Sequence, residues 1–342
     1  MKLVKTTDAV GLILPHDITQ IIPGEFKGPV FKKGHVISKE DIPILLSVGK
    51  DYIYVLENDE NTLHEDDAAE ILANLCGNEN MSKSEPSEGK IELFAEIDGL
   101  FLVDEHKLNI VNSFGEMMIA TRSSGFIVHK GEKLAGTRII PLTIEKSKMD
   151  KLLEVVGNGP IFKLLPLKKL KYGLITTGNE VFYGRIKDAF TPILTSKLAE
   201  FGCENVEHVI LNDDHEKITS AINDMLLKGV DMVLCTGGMS VDPDDRTPLA
   251  IKNAGVDIIS YGSPVLPGAM FLVSYSKDNR PVLGLPGCIM YAKRTIFDLM
   301  LPYLLAGYPI SKELMSSLGN GGLCLNCKEC HFPNCGFGKR GH

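Results

Sequence analysis

The sequence Leu174-Ile175-Thr176-Thr177-Gly178-Asn179-Glu180 contains an apolar run that stops abruptly at a Thr-Gly pair. Further along the chain, Val233-Leu234-Cys235-Thr236-Gly237-Gly238-Met239-Ser240 repeats this pattern. Short apolar runs of this kind are typical of buried parallel strands, and a glycine turn directly after such a strand is typical of a ligand-binding loop. Both turns are therefore predicted to open on the same edge of one sheet.

The residues around these two turns alternate between strand and helix signals from residue 168 onward. Thr191-Pro192 is typical of a helix N-cap with proline at the first helical position, and Thr247-Pro248 repeats this signal. Asp213 with Glu216 forms a capping-box pattern for another helix. Strand-length apolar runs lie between the helices, at residues 206–211, 230–235, 256–259, 270–275 and 281–285. The pattern predicts an α/β fold with three αβα layers and a mostly parallel sheet.

A third glycine turn, Gly284-Leu285-Pro286-Gly287, follows the last of these strands and is predicted to open a helix from about Cys288 to Ala306. Glycines let backbone N–H groups approach a ligand, and the start of a helix adds the positive end of its dipole. Three such turns on one sheet edge, counting Gly178 and Gly237-Gly238, favour a site for phosphate or another anion. The alternative is that each glycine only satisfies a tight turn between a strand and a helix.

Carboxylates follow two of the strands at the same edge. Asp213-Asp214 comes after one strand, and Asp242, Asp244 and Asp245 come after another. Carboxylates beside an anion site suit a hard cation such as Mg²⁺ that bridges the two, or a base that acts on a ligand hydroxyl. The alternative is that Asp213, Asp214 and Asp245 cap helices. The chain lacks GxxxxGK[ST] and a GxGxxG after a strand, so P-loop and ordinary dinucleotide chemistry are not indicated.

Residues 1–167 carry short apolar runs punctuated by glycines, a pattern typical of small β-rich units. Ser38 and Asp41 have capping-box spacing before one predicted helix, and a second helix is predicted from about Glu65 to Leu75. The polar, aperiodic segment 79–89 is interpreted as a linker. We therefore predict five parts: an α+β domain (1–78), the linker (79–89), a β-rich domain (90–167), the α/β domain (168–308) and a Cys-rich tail (309–342).

The composition is that of a globular protein with two or three domains, because 342 residues with 44% hydrophobic side chains can bury a sizeable core. The formal net charge of -8 provides no global basic field, which argues against nucleic acid and an anionic membrane surface as partners. The first residues lack the apolar core of a signal peptide, and the most apolar late segment, residues 296–306, is too short to span a bilayer. A cytoplasmic protein is the expectation.

Four of the eight cysteines crowd the end of the chain, as Cys324-x2-Cys327-x2-Cys330-x4-Cys335. In a reducing compartment, four thiols in so short a segment favour a metal centre over disulfides. One tetrahedral zinc ion or an iron–sulfur cluster would suit this ligand set, and the x2-x2 start is shared with bacterial ferredoxins. The other four cysteines are interpreted as small apolar side chains: Cys76, Cys203, Cys235 and Cys288.

Five motifs together resemble the molybdopterin-binding domain of molybdotransferases, molybdopterin adenylyltransferases and competence-damage-type proteins. In chain order they are residues 176–180, 185–188, 212–214, 236–248 and 284–287. The resemblance covers roughly residues 168 to 307 and implies binding of molybdopterin or adenylyl-molybdopterin, with Mg²⁺-dependent work in molybdenum cofactor assembly. It implies ligand-binding roles for Thr177, Gly178, Asn179, Glu180, Gly237, Gly238, Ser240, Pro286 and Gly287. It implies catalytic roles for Asp188, Asp214 and Asp245.

This chain departs from the molybdotransferase pattern at two places. Those enzymes usually carry Lys-Pro-Gly-Lys-Pro where this chain has Leu266-Pro267-Gly268-Ala269-Met270. They also follow Leu-Pro-Gly with Asn-Pro, where this chain has Cys288-Ile289. Two cations suited to an oxyanion and one amide able to contact the pterin are therefore missing.

The resemblance leaves three functions open. The first is a molybdotransferase-type enzyme that inserts molybdate with Mg²⁺. The second is a carrier or sensor that binds molybdopterin without inserting metal, and the third is a nucleotide pyrophosphatase of the competence-damage type. Molybdopterin and molybdate are the expected small-molecule partners. A molybdoenzyme or cofactor-assembly protein that docks on the tail, and a homo-oligomeric state, are further options.

Overall fold

The computed structural model describes residues 2–55, 60–77 and 79–339, and the chain divides into two units. The first unit contains Met1–Glu96, Val103–Arg122 and Lys130–Lys163, and the second contains Ile97–Leu102, Ser123–His129 and Leu164–His342. This division differs from the predicted boundaries. Residues on both sides of the predicted linker share the first unit, and the Cys-rich tail shares the second unit with the α/β domain.

Short strands dominate the part of the chain before residue 167. In chain order they are Lys2–Lys5 (β1), Ile18–Ile22 (β2), Phe26–Phe31 (β3), Tyr52–Val55 (β4), Thr62–His64 (β5), Met81–Lys83 (β6), Lys90–Ala95 (β7), Gly99–Val103 (β8), Met117–Thr121 (β9), Phe126–Val128 (β10), Lys133–Ile139 (β11), Thr143–Glu145 (β12) and Phe162–Pro166 (β13). The helices among them are Asp41–Ser47 (α1), Glu65–Cys76 (α2), Glu105–Ser113 (α3) and Lys146–Val156 (α4), with a 3-10 helix at Thr6–Asp8.

The first unit consists of small antiparallel sheets. Its largest sheet has the order β6-β7-β11-β9, and the pairs β1-β4, β2-β3 and β5-β12 form separate two-stranded sheets. The segment 79–89, predicted to be a linker, instead supplies β6, whose residues 81–83 pair with residues 93–95 of β7. A strand of an antiparallel sheet can have one face in water, so a polar sequence is compatible with a strand at the edge of a sheet. The polarity of segment 79–89 was therefore not sufficient to predict a linker. The predicted helices near residues 41–48 and 65–75 are confirmed as α1 and α2.

Glu65 should make the stability of the first unit depend on pH. Glu65 is 7% exposed. Burial, together with the negative charge of Asp66, raises the pKa of its carboxyl group from 4.5 to about 7. The folded state therefore holds a proton that the unfolded state has released, so stability falls as pH rises from about 4.5 to about 7. A shift of this size corresponds to about 3 kcal/mol.

We expect Glu65→Gln to remove this loss of stability at high pH, because glutamine does not ionise. The difference in free energy of unfolding, variant minus wild type, should therefore be larger at pH 8 than at pH 5. Urea unfolding followed by circular dichroism at both pH values measures the difference. The exposed neighbour on the same helix provides the control, because Asp67→Asn should keep the wild-type pH dependence. Equal pH dependence in wild type and Glu65→Gln would contradict the assignment.

Longer elements follow residue 170. The strands are Lys171–Thr177 (β14), Glu204–Leu211 (β15), Met232–Thr236 (β16), Asp257–Tyr261 (β17), Leu272–Tyr275 (β18) and Pro281–Leu285 (β19). The helices are Asn179–Phe182 (α5), Phe190–Ala199 (α6), His215–Leu227 (α7), Thr247–Asn253 (α8), Ile296–Ala306 (α9) and Lys312–Ser317 (α10), with a 3-10 helix at Gly287–Met290. Within the described residues, every helix is too short or too polar to cross a membrane.

The second unit is built on one six-stranded sheet with the order β15-β14-β16-β19-β18-β17. The first four strands are parallel to one another, and β18 runs antiparallel to both of its neighbours, β19 and β17. Alternate residues of β14 enter different cores, because side chains of a strand point to opposite faces. Leu174 packs with residues of α6 and α9, whereas Ile175 packs with residues of α7 and α8. The predicted three-layer α/β fold with a mostly parallel sheet is thus confirmed.

Four helices begin at residues other than those predicted, and one of them is α8, which already includes Thr247. Helix α7 follows Asp214, whose carboxylate accepts hydrogen bonds from Glu216 N at 3.0 Å and Lys217 N at 3.4 Å, so Asp214 and not Asp213 is the cap. Helix α6 already includes Thr191. The helix predicted from residue 288 is interrupted, because a 3-10 helix ends at residue 290 and α9 starts only at residue 296. A capping box of Thr295 and Asp298 fixes that later start.

Candidate functional site

A cavity of about 750 Å³ lies where β16 and β19 end. Its lining comes from four segments: the turn at residues 237–240 with Asp245, the loop 266–270, the segment 286–291, and residues 323–326 of the tail. This volume is in the range of small-molecule sites, and the carboxyl edge of parallel strands is where open α/β sheets bind ligands. The position and size together indicate a ligand cavity.

The first and second glycine turns are held together beside this cavity. Gly237 has a φ of +83°, and a Cβ built on it would lie 2.1 Å from the backbone oxygen of Thr177, so only glycine fits there. The hydroxyl of Thr177 lies 3.0 Å from that of Thr247, and Thr247 N donates to Gly238 O at 3.2 Å. Thr177 is 2% exposed. Its contacts therefore position the turn at residues 237–240 against β14.

The residues that the resemblance assigns to ligand binding divide into two groups. Gly237, Gly238, Ser240, Pro286 and Gly287 line the cavity, as does the catalytic candidate Asp245. The four residues of the first turn are outside this lining: Thr177, Gly178, Asn179 and Glu180. Thr177 thus supports the second turn, and ligand contacts of the first turn stay a prediction.

Carboxylates from three loops influence one another near the first turn. Asp213 accepts a hydrogen bond from Asn179 N at 2.9 Å. Burial raises the pKa of Asp213, and the negative charges of Glu180, Asp244 and Asp245 raise it further. Asp245 accepts a hydrogen bond from Asp242 N at 3.0 Å and lines the cavity. Asp213, for which the sequence also suggested a helix-capping role, is therefore the residue of the Asp213-Asp214 pair that interacts with Glu180, Asp244 and Asp245.

Asp214 and Asp188, the other two catalytic candidates, are engaged in local structure. Besides capping α7, Asp214 lies 3.6 Å from Lys217 Nζ. Asp188 accepts hydrogen bonds from Phe190 N at 2.8 Å and Thr191 N at 3.1 Å, and from the hydroxyl of Thr191. Burial opposes ionisation of Asp188, but these hydrogen bonds outweigh it and lower its pKa.

His208 lies beside Asp188 and shares its threonine partners. Its Nε2 lies 3.1 Å from the hydroxyls of both Thr176 and Thr191, and 3.6 Å from Asp188 Oδ2. The group joins β14, β15 and the start of α6. Neither Asp188 nor Asp214 belongs to the lining of the 750 Å³ cavity. Their geometry accounts for a structural role, and a catalytic role for either stays a prediction.

The third glycine turn differs from the expected helix start. Gly287 opens a four-residue 3-10 helix, and α9 begins at residue 296. A helix this short carries little of the dipole that the sequence interpretation assigned to Gly287. Backbone amides of this turn remain at the cavity, and Cys288 stands there where the molybdotransferases have asparagine.

The Cys-rich tail closes the side of the cavity that departs from the molybdotransferase pattern. Leu323 forms a parallel bridge with Leu266, in which Leu266 N donates to Gly322 O at 2.9 Å and Cys324 N donates to Leu266 O at 2.8 Å. Leu323, Cys324 and Asn326 then line the cavity. The sequence did not place these residues at the site, because the bridge joins segments that are distant in the chain and carry no shared motif.

Preformed metal sites are absent from the part of the chain that the structure describes. There, no three His, Cys, Asp or Glu side chains converge as they would around a single ion. This holds for the carboxylates near Asp245 and for the four tail cysteines, which are also free of disulfides. A single tetrahedral zinc ion in the tail therefore does not fit the arrangement of the thiols.

Comparison with known proteins agrees with this architecture. The family described as "Probable molybdopterin binding domain" matches residues 173–306, which contain the sheet and most of the cavity lining. This match covers 134 of the 342 residues of the chain. A domain family of unknown function matches residues 3–57.

Two curated relatives match about half of this chain. A molybdopterin molybdenumtransferase of Synechococcus elongatus is 28% identical over 200 residues, which are 53% of this chain and 47% of the relative. The molybdenum cofactor synthesis protein cinnamon of Drosophila melanogaster is 25% identical over 187 residues, 50% of this chain and 31% of the relative. The chain thus spans less than half the length of either.

Solved structures of molybdopterin biosynthesis proteins also resemble the chain. The molybdopterin biosynthesis enzyme MoaB of Thermus thermophilus is 20% identical and covers 41% of this chain and 98% of its own, with a TM-score of 0.34.

Proposed function

We propose that the molybdopterin-binding domain holds molybdopterin, or adenylyl-molybdopterin, in the 750 Å³ cavity and acts in molybdenum cofactor biosynthesis. The observation that supports this most directly is the convergence of Gly237-Gly238, Ser240, Asp245 and Pro286-Gly287 on one cavity. These residues come from two separate strand ends, and all belong to motifs that the resemblance assigned to the ligand. Backbone amides of the glycines would hold the ligand phosphate.

The finer proposal is a molybdotransferase-type reaction, in which molybdate is inserted with the help of Mg²⁺. Mg²⁺ commonly binds one or two protein carboxylates together with substrate phosphates, and it keeps several waters. Asp245 is the carboxylate at the cavity, and the mutual repulsion of Asp213, Glu180, Asp244 and Asp245 would be relieved by a cation. Asp245 would hold the ion or orient the reacting group.

The ligand proposal is tested on the purified full chain. Bound pterin is oxidised to its fluorescent product and quantified, and binding of added molybdopterin is measured by the same fluorescence. We expect molybdopterin to co-purify or to bind when added. Absence of pterin in the purified protein, combined with no binding of added molybdopterin, would refute the proposal.

Asp245→Asn is expected to keep molybdopterin binding but to lower Mg²⁺-dependent molybdate insertion by about 100-fold, a typical effect of removing one group that stabilises developing charge. Asparagine can still accept the hydrogen bond from Asp242 N, so the turn should keep its shape. Insertion is measured with molybdate, MgCl₂ and adenylyl-molybdopterin. Asp242→Asn, in the same loop but outside the cavity lining, is the control and should keep wild-type activity. Unchanged insertion in Asp245→Asn would remove Asp245 from the mechanism.

A carrier or sensor is the second candidate, and one feature of the cavity favours it. The loop wall consists of Leu266, Pro267, Gly268, Ala269 and Met270, which offer an oxyanion no charged side chain. The same experiment discriminates between the two functions, because a carrier binds molybdopterin but inserts no molybdenum. A parallel incubation with dinucleotides and MgCl₂ tests the pyrophosphatase alternative.

A further inference from the structure

A second cavity of about 640 Å³ adjoins the first within the second unit. The two share five lining residues, among them Tyr291, Leu323 and Cys324. All four tail cysteines line the second cavity: Cys324, Cys327, Cys330 and Cys335. These four cysteines lie within eleven positions of one another in the sequence, and none of them is in a disulfide.

The loop that carries these thiols is held at both ends by contacts with neighbouring segments of the second unit. At its start, the bridge between Leu323 and Leu266 attaches it to the domain. At its end, Phe337 is 4% exposed, and Gly338 N donates to Gly321 O at 2.9 Å. These contacts therefore fix both ends of the loop at the cavity.

Positive side chains accompany the thiols. Lys293, Arg294 and Lys328 line the same cavity, whereas the lining contains no Asp or Glu. The Arg294 guanidinium lies 5.0 Å from the centre of the Phe332 ring, and Lys293 Nζ donates to Lys328 O at 2.6 Å. These cations would offset the negative charge that a cluster with four thiolate ligands brings into the cavity.

The four tail cysteines do not form the group that a single metal ion needs, so of the two centres that the sequence left open a cluster is the one that remains. A zinc ion requires its thiolates at about 2.3 Å from one point, and no such convergence exists among the described residues. In an iron–sulfur cluster the thiolates bind different iron atoms, with the inorganic core between them. Four cysteines that line one cavity match the second arrangement, and C-x2-C-x2-C is a spacing found in ferredoxins.

We infer that Cys324, Cys327, Cys330 and Cys335 bind a [4Fe–4S] cluster in the 640 Å³ cavity. Cys324 lines both cavities, so the cluster borders the cavity proposed for molybdopterin. The inference does not depend on the proposed function, because it stands on the tail and its cavity.

The test uses the full chain purified without oxygen and, separately, reconstituted with ferrous iron and sulfide. We expect about four iron and four sulfide per chain, a broad visible absorption band and its loss on reduction with dithionite. The double variant Cys327→Ser/Cys330→Ser should lose the band and the iron. Cys203→Ser is the matched control, because Cys203 lies outside the lining of this cavity, and it should keep both.

Circular dichroism checks that the double variant is folded, which we expect because Cys327 and Cys330 are exposed and the contacts at the two ends of the loop do not involve their thiols. The wild-type metal content tests the inference independently of any variant. One zinc per chain without sulfide, a colourless metal-free protein after reconstitution, or a cluster that persists in the folded double variant would each overturn it.

Discussion

Asp298→Ala is expected to destabilise the second unit by about 3–5 kcal/mol, the usual effect of removing one partner from a buried ion pair. The Asp298 side chain is 5% exposed and serves two groups of donors. One oxygen accepts hydrogen bonds from Thr295 N at 2.8 Å and the Thr295 hydroxyl at 3.2 Å, which caps α9. The other accepts from Lys197 Nζ and from Arg294 Nη1 at 3.0 Å. Alanine removes the cap and leaves Lys197, whose side chain is 17% exposed, without this carboxylate.

Urea unfolding followed by circular dichroism measures the change. Asp298→Asn should give an intermediate value, because the amide oxygen can still cap the helix but the negative charge is lost. Asp257→Ala, at an exposed position of β17, is the control and should change the free energy of unfolding by less than about 0.5 kcal/mol. A loss below about 1 kcal/mol for Asp298→Ala would show that Lys197 and Arg294 find water or other partners without the cost usual for a broken buried pair.

The α/β fold could be predicted because its signals are local. Each central strand is a short apolar run that ends at Thr-Gly or Leu-Pro-Gly, and the side chains of Leu174 and Ile175 alternate between two cores as the pattern requires. The helices between the strands were found from caps and glycine stops. These features depend on neighbouring residues only, so the sequence is sufficient to place them.

The exact helix starts were less predictable because adjacent residues could serve equally well as caps. Asp213 and Asp214 are both suited to the N-terminus of α7, and the path of the chain after β15 decides that Asp214 caps the helix while Asp213 turns to Asn179 N. In the same way, Asp188 rather than Thr191 accepts the hydrogen bonds from the first backbone N–H groups of α6. Such choices are made by tertiary contacts and not by propensity.

The candidate site was predicted in part. Gly237, Gly238, Ser240 and Asp245 line the cavity, as expected for a turn after a parallel strand. The tail at this cavity could not be predicted, because the bridge between Leu266 and Leu323 links segments without periodicity or a shared motif. The first turn shows the opposite case, since its motif is clear but Thr177 is buried and lies outside the cavity lining.

Gly237→Ala is expected to destabilise the second unit by about 4 kcal/mol, at the upper end for a single substitution. Two costs add at this position. A left-handed φ of +83° costs an alanine about 1–2 kcal/mol, and its Cβ would stand 2.1 Å from Thr177 O, which is backbone and cannot rotate away. The remaining cost comes from separating the turn from β14.

Gly255→Ala isolates the first cost, because Gly255 has a similar φ of +74° but no atom lies within 4 Å of the position that an alanine Cβ would take there. We therefore expect Gly255→Ala to lose only about 1–2 kcal/mol in urea unfolding and to keep molybdopterin binding. If Gly237→Ala and Gly255→Ala lose equal stability, the close approach to Thr177 is not a constraint.

Molybdopterin binding by the same two variants shows whether the shape of the turn at residues 237–240 matters for the ligand site as well as for stability. If Gly237→Ala is folded at low temperature and still binds molybdopterin as tightly as wild type, the turn does not shape the ligand site. If folded Gly237→Ala loses molybdopterin affinity while Gly255→Ala keeps it, the turn at residues 237–240 contributes to ligand binding. Gly255→Ala is the reference because it carries similar backbone strain at a residue outside the cavity lining.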